Sequence, residues 1–364
     1  MGGSAQAQVP LDLTCGITND DGPPSDQSSP YVHSLVSTLQ NAGHTVSVVL
    51  PHTQRSWIGK AHLVGKAIKP TYYRPAPLQT TSEGRLTNNG STHTSPLPPH
   101  STEEEWILVD STPASCVQIG LYHYFSSRGP IDLVISGPNY GRNSTAVFSL
   151  SSGTIGGAME AAVCGQKSIA LSYAFFDRNH DAKIISGASA LSAKLIQYLY
   201  DNWDAGTHLY SVNVPLVEGV GDRKILWTNM LQNKWKSGSC FQVVEVPSEA
   251  DDSPSDIESQ IRRQEEKLGK KELRSNSQGV LSGEGIESGR DTPTGQGHMR
   301  YAHKHFKWAP QFKDVYESVE QSEPGNDGWA VAQGFTSVTP LRANFMHVNG
   351  FEGEIKLGDN ESSS

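Results

Sequence analysis

The sequence predicts an α/β fold of the Rossmann-like type, in which a mostly parallel sheet is flanked by helices. Short apolar runs that stop at polar turns alternate with helical patterns, and the first three elements have the spacing of a strand, a helix and a second strand. Such a βαβ unit has parallel strands and a right-handed crossover. A single domain over residues 1–364 is expected, with a C-terminal extension and two flexible insertions.

The elements follow in order along the chain. The first strand is predicted over 11–17, where an apolar-rich run ends at the turn 18–22. Apolar residues then recur at helical spacing over 32–39, and Gly43 ends this helix. The second strand covers 45–50. Further strands are predicted at 106–109, 131–136, 168–172 and 209–214, and further helices at 115–125, 154–164 and 180–203.

Two stretches depart from this alternation. Residues 75–105 are rich in Thr, Ser, Pro and Asn, and residues 247–299 are rich in Ser, Gly, Glu and Lys, so both are expected to be flexible insertions. Within the second, 257–274 is predicted to form a charged surface helix without an apolar stripe, or a segment that binds a partner. The tail 358–364 is expected to be disordered.

Charge and hydropathy exclude several classes of protein. The net charge is −9 and no basic stripe with interleaved aromatic residues is present, so nucleic-acid binding is not expected. An anionic substrate would instead need a metal ion or backbone N–H groups. No segment has the roughly 20 apolar residues of a spanning helix and the first residues do not form a signal peptide, so a soluble, cytoplasmic protein without membrane contact is expected.

The cysteine pattern argues against a zinc or redox site. Cys15, Cys116, Cys164 and Cys240 are widely separated, and no CxxC pair is present. They are predicted to be thiols in a reducing compartment, although the spacing leaves two disulfides open.

Two adjacent acids follow the first strand. Ligands of open parallel sheets bind beyond the carboxyl ends of the strands, and Asp20 and Asp21 lie there. Their mutual repulsion favours a divalent cation between them. The alternative is a simple turn with capping potential.

Two further segments add polar groups at the same edge. Asn139, in the glycine-containing segment 136–143 after an apolar run, offers an amide oxygen of the kind that Mg²⁺, Mn²⁺ or Ca²⁺ accepts. Ser152, Gly153 and Thr154 begin a helix of small residues, whose free N–H groups suit a phosphate. The alternatives are an Asn/Gly turn and a Ser/Thr-capped helix.

These segments together resemble a known family. The blocks 18–22, 132–143 and 152–160 closely resemble, in order, the signature blocks of the SurE-type survival-protein family, and further similarities lie at 110–116, 212–215 and 327–341. The resemblance implies a Rossmann-like fold. It also implies a metal-dependent hydrolase of phosphate monoesters, a 5′- or 3′-nucleotidase or an acid phosphatase, with Mg²⁺ or Mn²⁺ as its metal.

The resemblance also implies which residues form the site. The metal ligands would be Asp20, Asp21, Ser56 and Asn139, and Asp20 and Asp21 would be the catalytic acids, with Asp20 as the candidate general base. The phosphate would contact Asn143, Ser152, Gly153 and Thr154. His52, His62 and Lys60 flank the Ser56 loop, where His and Lys are usually surface residues; the alternative is that one of them protonates the leaving group.

Partners and alternatives follow from the same resemblance. A small phosphorylated substrate such as a nucleoside monophosphate is implied, as is a homo-oligomer, a dimer or tetramer, that exchanges C-terminal elements from 301–351. The loop residues Arg55, Trp57 and Lys60 look closest to fungal members, some of which carry the domain ahead of a tubulin-tyrosine-ligase-like module. A catalytically idle scaffold is one alternative. A dinucleotide-dependent enzyme is another, and the absence of GxGxxG after the first strand counts against it.

Overall fold

A central sheet organises the protein in the computed structural model, which describes residues 12–178, 180–236, 238–244, 254–275 and 304–345, with 349 and 352. Within these residues the sheet contains β1 (Thr14–Thr18), β2 (Thr45–Pro51), β3 (Thr71–Pro75), β4 (Gly90–His93), β5 (Trp106–Val109), β6 (Leu133–Tyr140), β7 (Ser168–Ala174), β8 (Leu209–Pro215), β9 (Ile225–Trp227) and β12 (Thr336–Leu341). A separate hairpin pairs β10 (Phe241–Val244) with β11 (His305–Trp308).

Eight α-helices are formed by the described residues. They are α1 (Val32–Asn41), α2 (Pro113–Ile119), α3 (Ala146–Ser151), α4 (Gly153–Val163), α5 (Ala182–Asp201), α6 (Pro254–Ser275), α7 (Lys313–Glu320) and α8 (Asp327–Ala332). A π-helical turn at Gly120–Tyr124 and a 3₁₀ turn at Phe125–Arg128 follow α2. None of the described helices has the length and apolar character needed to cross a membrane.

The strand order creates a crevice at the middle of the sheet. The order is β4-β3-β5-β2-β1-β6-β7-β8-β12-β9, and the pairs from β5 to β8 are parallel. The chain moves outward from β1 through β2 to β5, and then starts again on the other side of β1 with β6. This reversal places a ligand crevice at the carboxyl ends of β1 and β6. The predicted mostly parallel α/β fold is therefore confirmed.

Helices cover both faces of the sheet because successive strand residues point to opposite sides. Cys15 and Ile17 of β1 belong to a large core beneath α1 and α5, whereas Val134 of β6 packs with α2 and α4. All four cysteines are free thiols, and Cys15 and Cys116 are buried. Burial raises the pKa of Cys15 to about 12, so this thiol is a core residue.

Both predicted insertions contain regular structure. In the first, β4 pairs with β3, and Tyr73 of β3 is buried in the core. In the second, α6 forms where a helix was predicted, but it buries one face, whereas a surface helix was expected. Its Ile261 and Arg262 are 6% and 1% exposed. The predicted insertion residues 247–253 and 276–299, and the tail 358–364, lie outside the described residues.

Candidate metal and phosphate site

The turn after β1 fixes the two adjacent acids. The Asn19 side chain closes this turn, since its Oδ1 accepts from the Gly22 N–H at 2.9 Å and its Nδ2 donates to the Gly22 carbonyl at 3.0 Å. Asp20 and Asp21 are 3% and 1% exposed. The sequence therefore places two carboxylates side by side in the interior, at the crevice that the strand order creates.

Asp20 is held by the beginning of α4. The Thr154 hydroxyl donates to Asp20 Oδ1 at 2.6 Å. A Cβ on Gly153 would lie 2.7 Å from Asp20 Cβ and 2.9 Å from Asp20 Oδ2, so only glycine allows this approach. Burial, and then the charge of Asp21, raise the pKa of Asp20 to about 7, while the Thr154 hydrogen bond opposes them. The groups around Asp20 therefore do not fully offset its burial and the repulsion from Asp21.

Both oxygens of Asp21 have donors. Oδ2 accepts from the Tyr140 N–H at 2.6 Å, and Oδ1 accepts from Arg262 Nη2 at 2.7 Å and from Gln54 Nε2 at 3.3 Å. Burial raises the pKa of Asp21, and the Arg262 charge acts in the opposite direction. The cation nearest this carboxylate therefore comes from α6.

An irregularity in β6 brings Asn139 to the same place. The register with β7 shifts between Ser136 and Asn139. Gly137 sits inside this shift with φ +133°, and a Cβ there would lie 2.1 Å from the Leu171 carbonyl oxygen, so no other residue fits. The Asn139 amide donates through Nδ2 to the Gly141 carbonyl at 2.8 Å, which turns its Oδ1 away from that carbonyl.

Several of the predicted phosphate-binding residues already form hydrogen bonds within the protein. Ser152 caps α4, since its hydroxyl accepts from the Ile155 N–H at 3.1 Å. Asn143 donates through Nδ2 to the Ser172 hydroxyl at 2.9 Å. Thr154 faces Asp20. These contacts fix the phosphate side of the site rigidly in place.

One small cavity connects these groups. Its volume is about 40 Å³, and it is bordered by β1, β6, the start of α4 and helix α6. Five predicted site residues line it, namely Asp20, Ser56, Asn139, Asn143 and Ser152. The other three, Asp21, Gly153 and Thr154, lie directly behind them. The structure therefore brings the whole predicted set together.

Sequence inspection missed the residues of α6 and one arginine in this cavity. Glu258 and Glu265 of α6 line it, together with Arg142, Trp57 and Phe148. Glu258 accepts hydrogen bonds from the side chains of Ser56 and Trp57, and burial raises its pKa. The spacing of Glu258, Arg262 and Glu265, four and then three residues apart, is the signal that could have indicated one shared helical face.

The proposed leaving-group donors lie elsewhere. Lys60 Nζ pairs with Glu160 Oε2 at 2.5 Å, and His62 Nδ1 contacts the Ser115 hydroxyl at 3.0 Å. His52 is exposed, and none of the three lines the cavity. They act as surface and ion-pair residues.

The donor set fits a hard divalent cation. Carboxylate, amide and hydroxyl oxygens are the ligands that Mg²⁺ and Mn²⁺ prefer, and Asp20, Asn139 and Ser56 present all three around one cavity. Among the described residues, no group of three or more His, Cys, Asp or Glu side chains has the geometry of a metal centre. The fit therefore depends on two acids supplemented by neutral oxygen donors.

Fold and site together define an α/β protein with an acidic, oxygen-rich pocket at the switch point of a parallel sheet. The family model described as survival protein SurE matches residues 16–237. The chain belongs to the SurE family.

Similar proteins agree with this assignment. The probable tubulin–tyrosine ligase PBY1 of Saccharomyces cerevisiae is 34% identical over 95% of this chain and 43% of its own length. A 5′-nucleotidase SurE of Geobacter metallireducens is 30% identical over 55% of this chain and 63% of its own length. The chain thus spans less than two thirds of either relative. The crystal structure of the SurE protein from Aquifex aeolicus supports the fold, with a TM-score of 0.53 at 20% identity, covering 92% of this chain and 94% of that one.

Proposed function

We propose that this chain is a metal-dependent phosphate-monoester hydrolase of the nucleotidase or acid-phosphatase type. The observation that carries the proposal is the meeting of the buried Asp20–Asp21 pair with Ser56, Asn139 and the start of α4 around one cavity. Family membership supports it, because curated relatives in the family are named 5′-nucleotidase SurE. A nucleoside monophosphate is the proposed substrate.

Asp20, Asp21, Asn139 and Ser56 would hold Mg²⁺ or Mn²⁺. When bound, such an ion offsets the phosphoryl charge and lowers the pKa of a coordinated water. Asp20 is the proposed general base, because Thr154 occupies its Oδ1 and leaves Oδ2 to orient the attacking water. Because Thr154 also holds the carboxylate in place, this geometry is set before the substrate arrives.

The phosphate would lie at the start of α4. The N–H groups of the first turn point toward an anion, and the helix dipole favours negative charge there. Asn143 and Ser152 border the same space. Donors of this kind stabilise the equatorial oxygens as charge builds on them during in-line attack.

The second candidate is a catalytically idle SurE-like scaffold. It is favoured by one observation, the Arg262 guanidinium that already pairs with Asp21 in the acidic pocket. A scaffold predicts no metal-dependent turnover, which separates it from the hydrolase.

The test is phosphate release from p-nitrophenyl phosphate and from a panel of nucleoside monophosphates, with Mg²⁺, Mn²⁺ or EDTA. Asp20→Asn should lower turnover roughly 10²–10⁴-fold, the usual contribution of a general base. Asp26→Asn is the matched control, because Asp26 is an exposed acid of the same loop. A folded wild-type protein without turnover under all conditions would favour the scaffold.

A further inference from the structure

Helix α6 lies on the candidate site with one face. Ile261 packs in an apolar cluster with Phe148 and Phe312, and Leu268 and Trp57 pack against that cluster. Glu258, Arg262 and Glu265 share the face with Ile261 and Leu268, because residues three, four and seven positions apart align on a helix. Apolar packing therefore holds Glu258 and Glu265 at the cavity and Arg262 against Asp21.

Side chains of α6 engage two of the four predicted metal ligands. Arg262 Nη2 lies 2.7 Å from Asp21 Oδ1, and the two side chains are 1% and 0% exposed. The guanidinium also lies over the Tyr140 ring, 4.0 Å from its centroid. Glu258 holds Ser56 through a hydrogen bond. A metal ion at Asp21 would therefore compete with Arg262, and Ser56 already shares its hydroxyl proton with Glu258.

The other end of the same face carries a carboxyl group to the phosphate side. Glu265 lines the cavity with Asn143 and Ser152, and the Arg142 charge acts on it to lower its pKa against the larger effect of burial. Helix α6 thus places the Arg262 cation at the acid pair, the Glu258 carboxyl beside Ser56 and the Glu265 carboxyl near the phosphate residues. Arg262 occupies the place at Asp21 that the metal ion would take, and Glu265 borders the space that the phosphate would take.

The space that remains is too small for a nucleotide. The cavity of about 40 Å³ holds only a few water molecules. Pockets for small organic ligands measure roughly 300–1,000 Å³. A nucleoside monophosphate therefore cannot enter while α6 stays docked.

We propose that α6 is an intramolecular strap that occupies the site in place of the metal ion and the phosphate, so that α6 docking and metal binding exclude each other. The identity of the competing ligands rests on the proposed function. Metal binding takes Asp21 from Arg262, which removes the ion pair that holds α6 at the acid pair, and α6 then leaves the pocket. The strap thereby keeps the site closed until a divalent cation opens it.

Two variants and one control test this with the full-length chain and Mn²⁺ alone. Arg262→Ala removes the cation, and Ile261→Asn undocks α6 without changing any charge, while retaining Arg262. Arg263→Ala, on the exposed side of α6, removes the same charge without touching the site. Calorimetric titration should show Mn²⁺ affinity raised about tenfold or more in both site-face variants and unchanged in the control.

Hydrogen exchange gives a second readout without turnover. Mn²⁺ added to the wild-type protein should raise exchange in 254–275 and leave α5 unchanged. Equal protection of 254–275 with and without bound Mn²⁺ would overturn the strap. A gain in Mn²⁺ affinity confined to Arg262→Ala would also overturn it, because local charge alone would explain such a gain. Metal-driven release of α6 without any phosphate release would instead reject the hydrolase and leave the strap standing.

Discussion

Asp21 and Arg262 form an ion pair inside the protein although 241 residues separate them along the chain. Taking two charges out of water costs several kcal/mol per ion, so such a pair requires further polar partners. Asp21 has the Tyr140 N–H and Gln54, and Arg262 has the Ser28 carbonyl at 3.4 Å. Both members of the pair therefore have further hydrogen-bond partners. A divalent cation that binds Asp21 would have to replace the contacts of this carboxylate.

Replacing Thr154 by Val should weaken catalysis without unfolding the protein. The substitution keeps the shape of the side chain and removes its 2.6 Å hydrogen bond to Asp20 Oδ1. A hydrogen bond to a charged group contributes about 1.5–3 kcal/mol, so kcat/KM should fall roughly tenfold to a hundredfold. Thr154→Ser retains the donor and is the control. Equal losses in both variants would show that packing, not the hydroxyl, matters.

Adding one methyl group at Gly153 should damage the site. The new Cβ would lie 2.7 Å from Asp20 Cβ, so the carboxylate must move and phosphatase activity should be lost. Gly187→Ala in α5 is the matched control, because the nearest atom to its new Cβ would be Val220 Cγ1 at 3.9 Å. There alanine should raise the free energy of unfolding by about 1 kcal/mol. Thermal melts and phosphate release measure the two effects, and an active Gly153→Ala enzyme would contradict the close approach.

The pattern of strands and the strand-end rule predicted much of this molecule. An apolar run that ends at a polar turn is sufficient to place Asp20, and the apolar run at 131–136 places Asn139 at the same edge, because parallel strands end at one edge. The predicted strand at 106–109 has the observed bounds of β5. The resemblance to the family then supplied Ser56, which lies in a loop without periodicity.

The role of α6 could not be predicted from periodicity. A search for an apolar stripe over 257–274 finds only four aliphatic residues, Ile257, Ile261, Leu268 and Leu273, among many charges. The buried face of α6 contains both apolar and charged residues. Its charges are offset by groups that are distant in the sequence, such as Asp21, and no local pattern contains those groups. Short edge strands such as β4 and β9 were missed for a related reason, since few of their residues are buried.

Acid should destabilise the fold through His180. Its ring packs against Tyr31 and Tyr140, and Nε2 lies 3.1 Å from the Tyr140 hydroxyl. Burial, and then Arg178, lower its pKa to about 4 from 6.5. The unfolded chain therefore binds more protons between these two values, and the free energy of unfolding should fall by on the order of 2 kcal/mol as the pH drops from 6.5 to 4.

The control for this pH effect is His180→Asn. Asparagine is neutral throughout and tolerates the positive φ of 52° at this position. Urea unfolding at several pH values should show a flatter profile for the variant between pH 6.5 and 4. Parallel profiles for the two proteins would assign the acid sensitivity to other groups.

The hairpin of β10 and β11 should join two copies of the chain. Phe241 and Val243 pair with Trp308 and Phe306 across it, and Phe306 is 61% exposed. Trp308 packs against Trp57 of the same chain, but Phe241, Val243 and Phe306 are each more than half exposed. An exposed apolar patch of this kind is expected to be covered by the same hairpin of a second copy. Light scattering should give a multiple of 39.4 kDa.

A charge on the apolar face of the β10–β11 hairpin should reduce the mass measured by light scattering. Phe306→Lys should give the monomer mass, whereas Val163→Lys, at a site that is also 61% exposed, should not. A wild-type protein that scatters as a monomer would refute this interface.

The long sequence separation between Asp21 and Arg262 also sets an order of events during synthesis. Strands β1 to β8 all leave the ribosome before residue 262 does. At roughly 5–20 residues per second, the acid pair waits tens of seconds for its arginine. Each newly made molecule therefore passes through an interval in which its two carboxylates face the cell without their internal counter-ion, and a divalent ion present then meets no competitor.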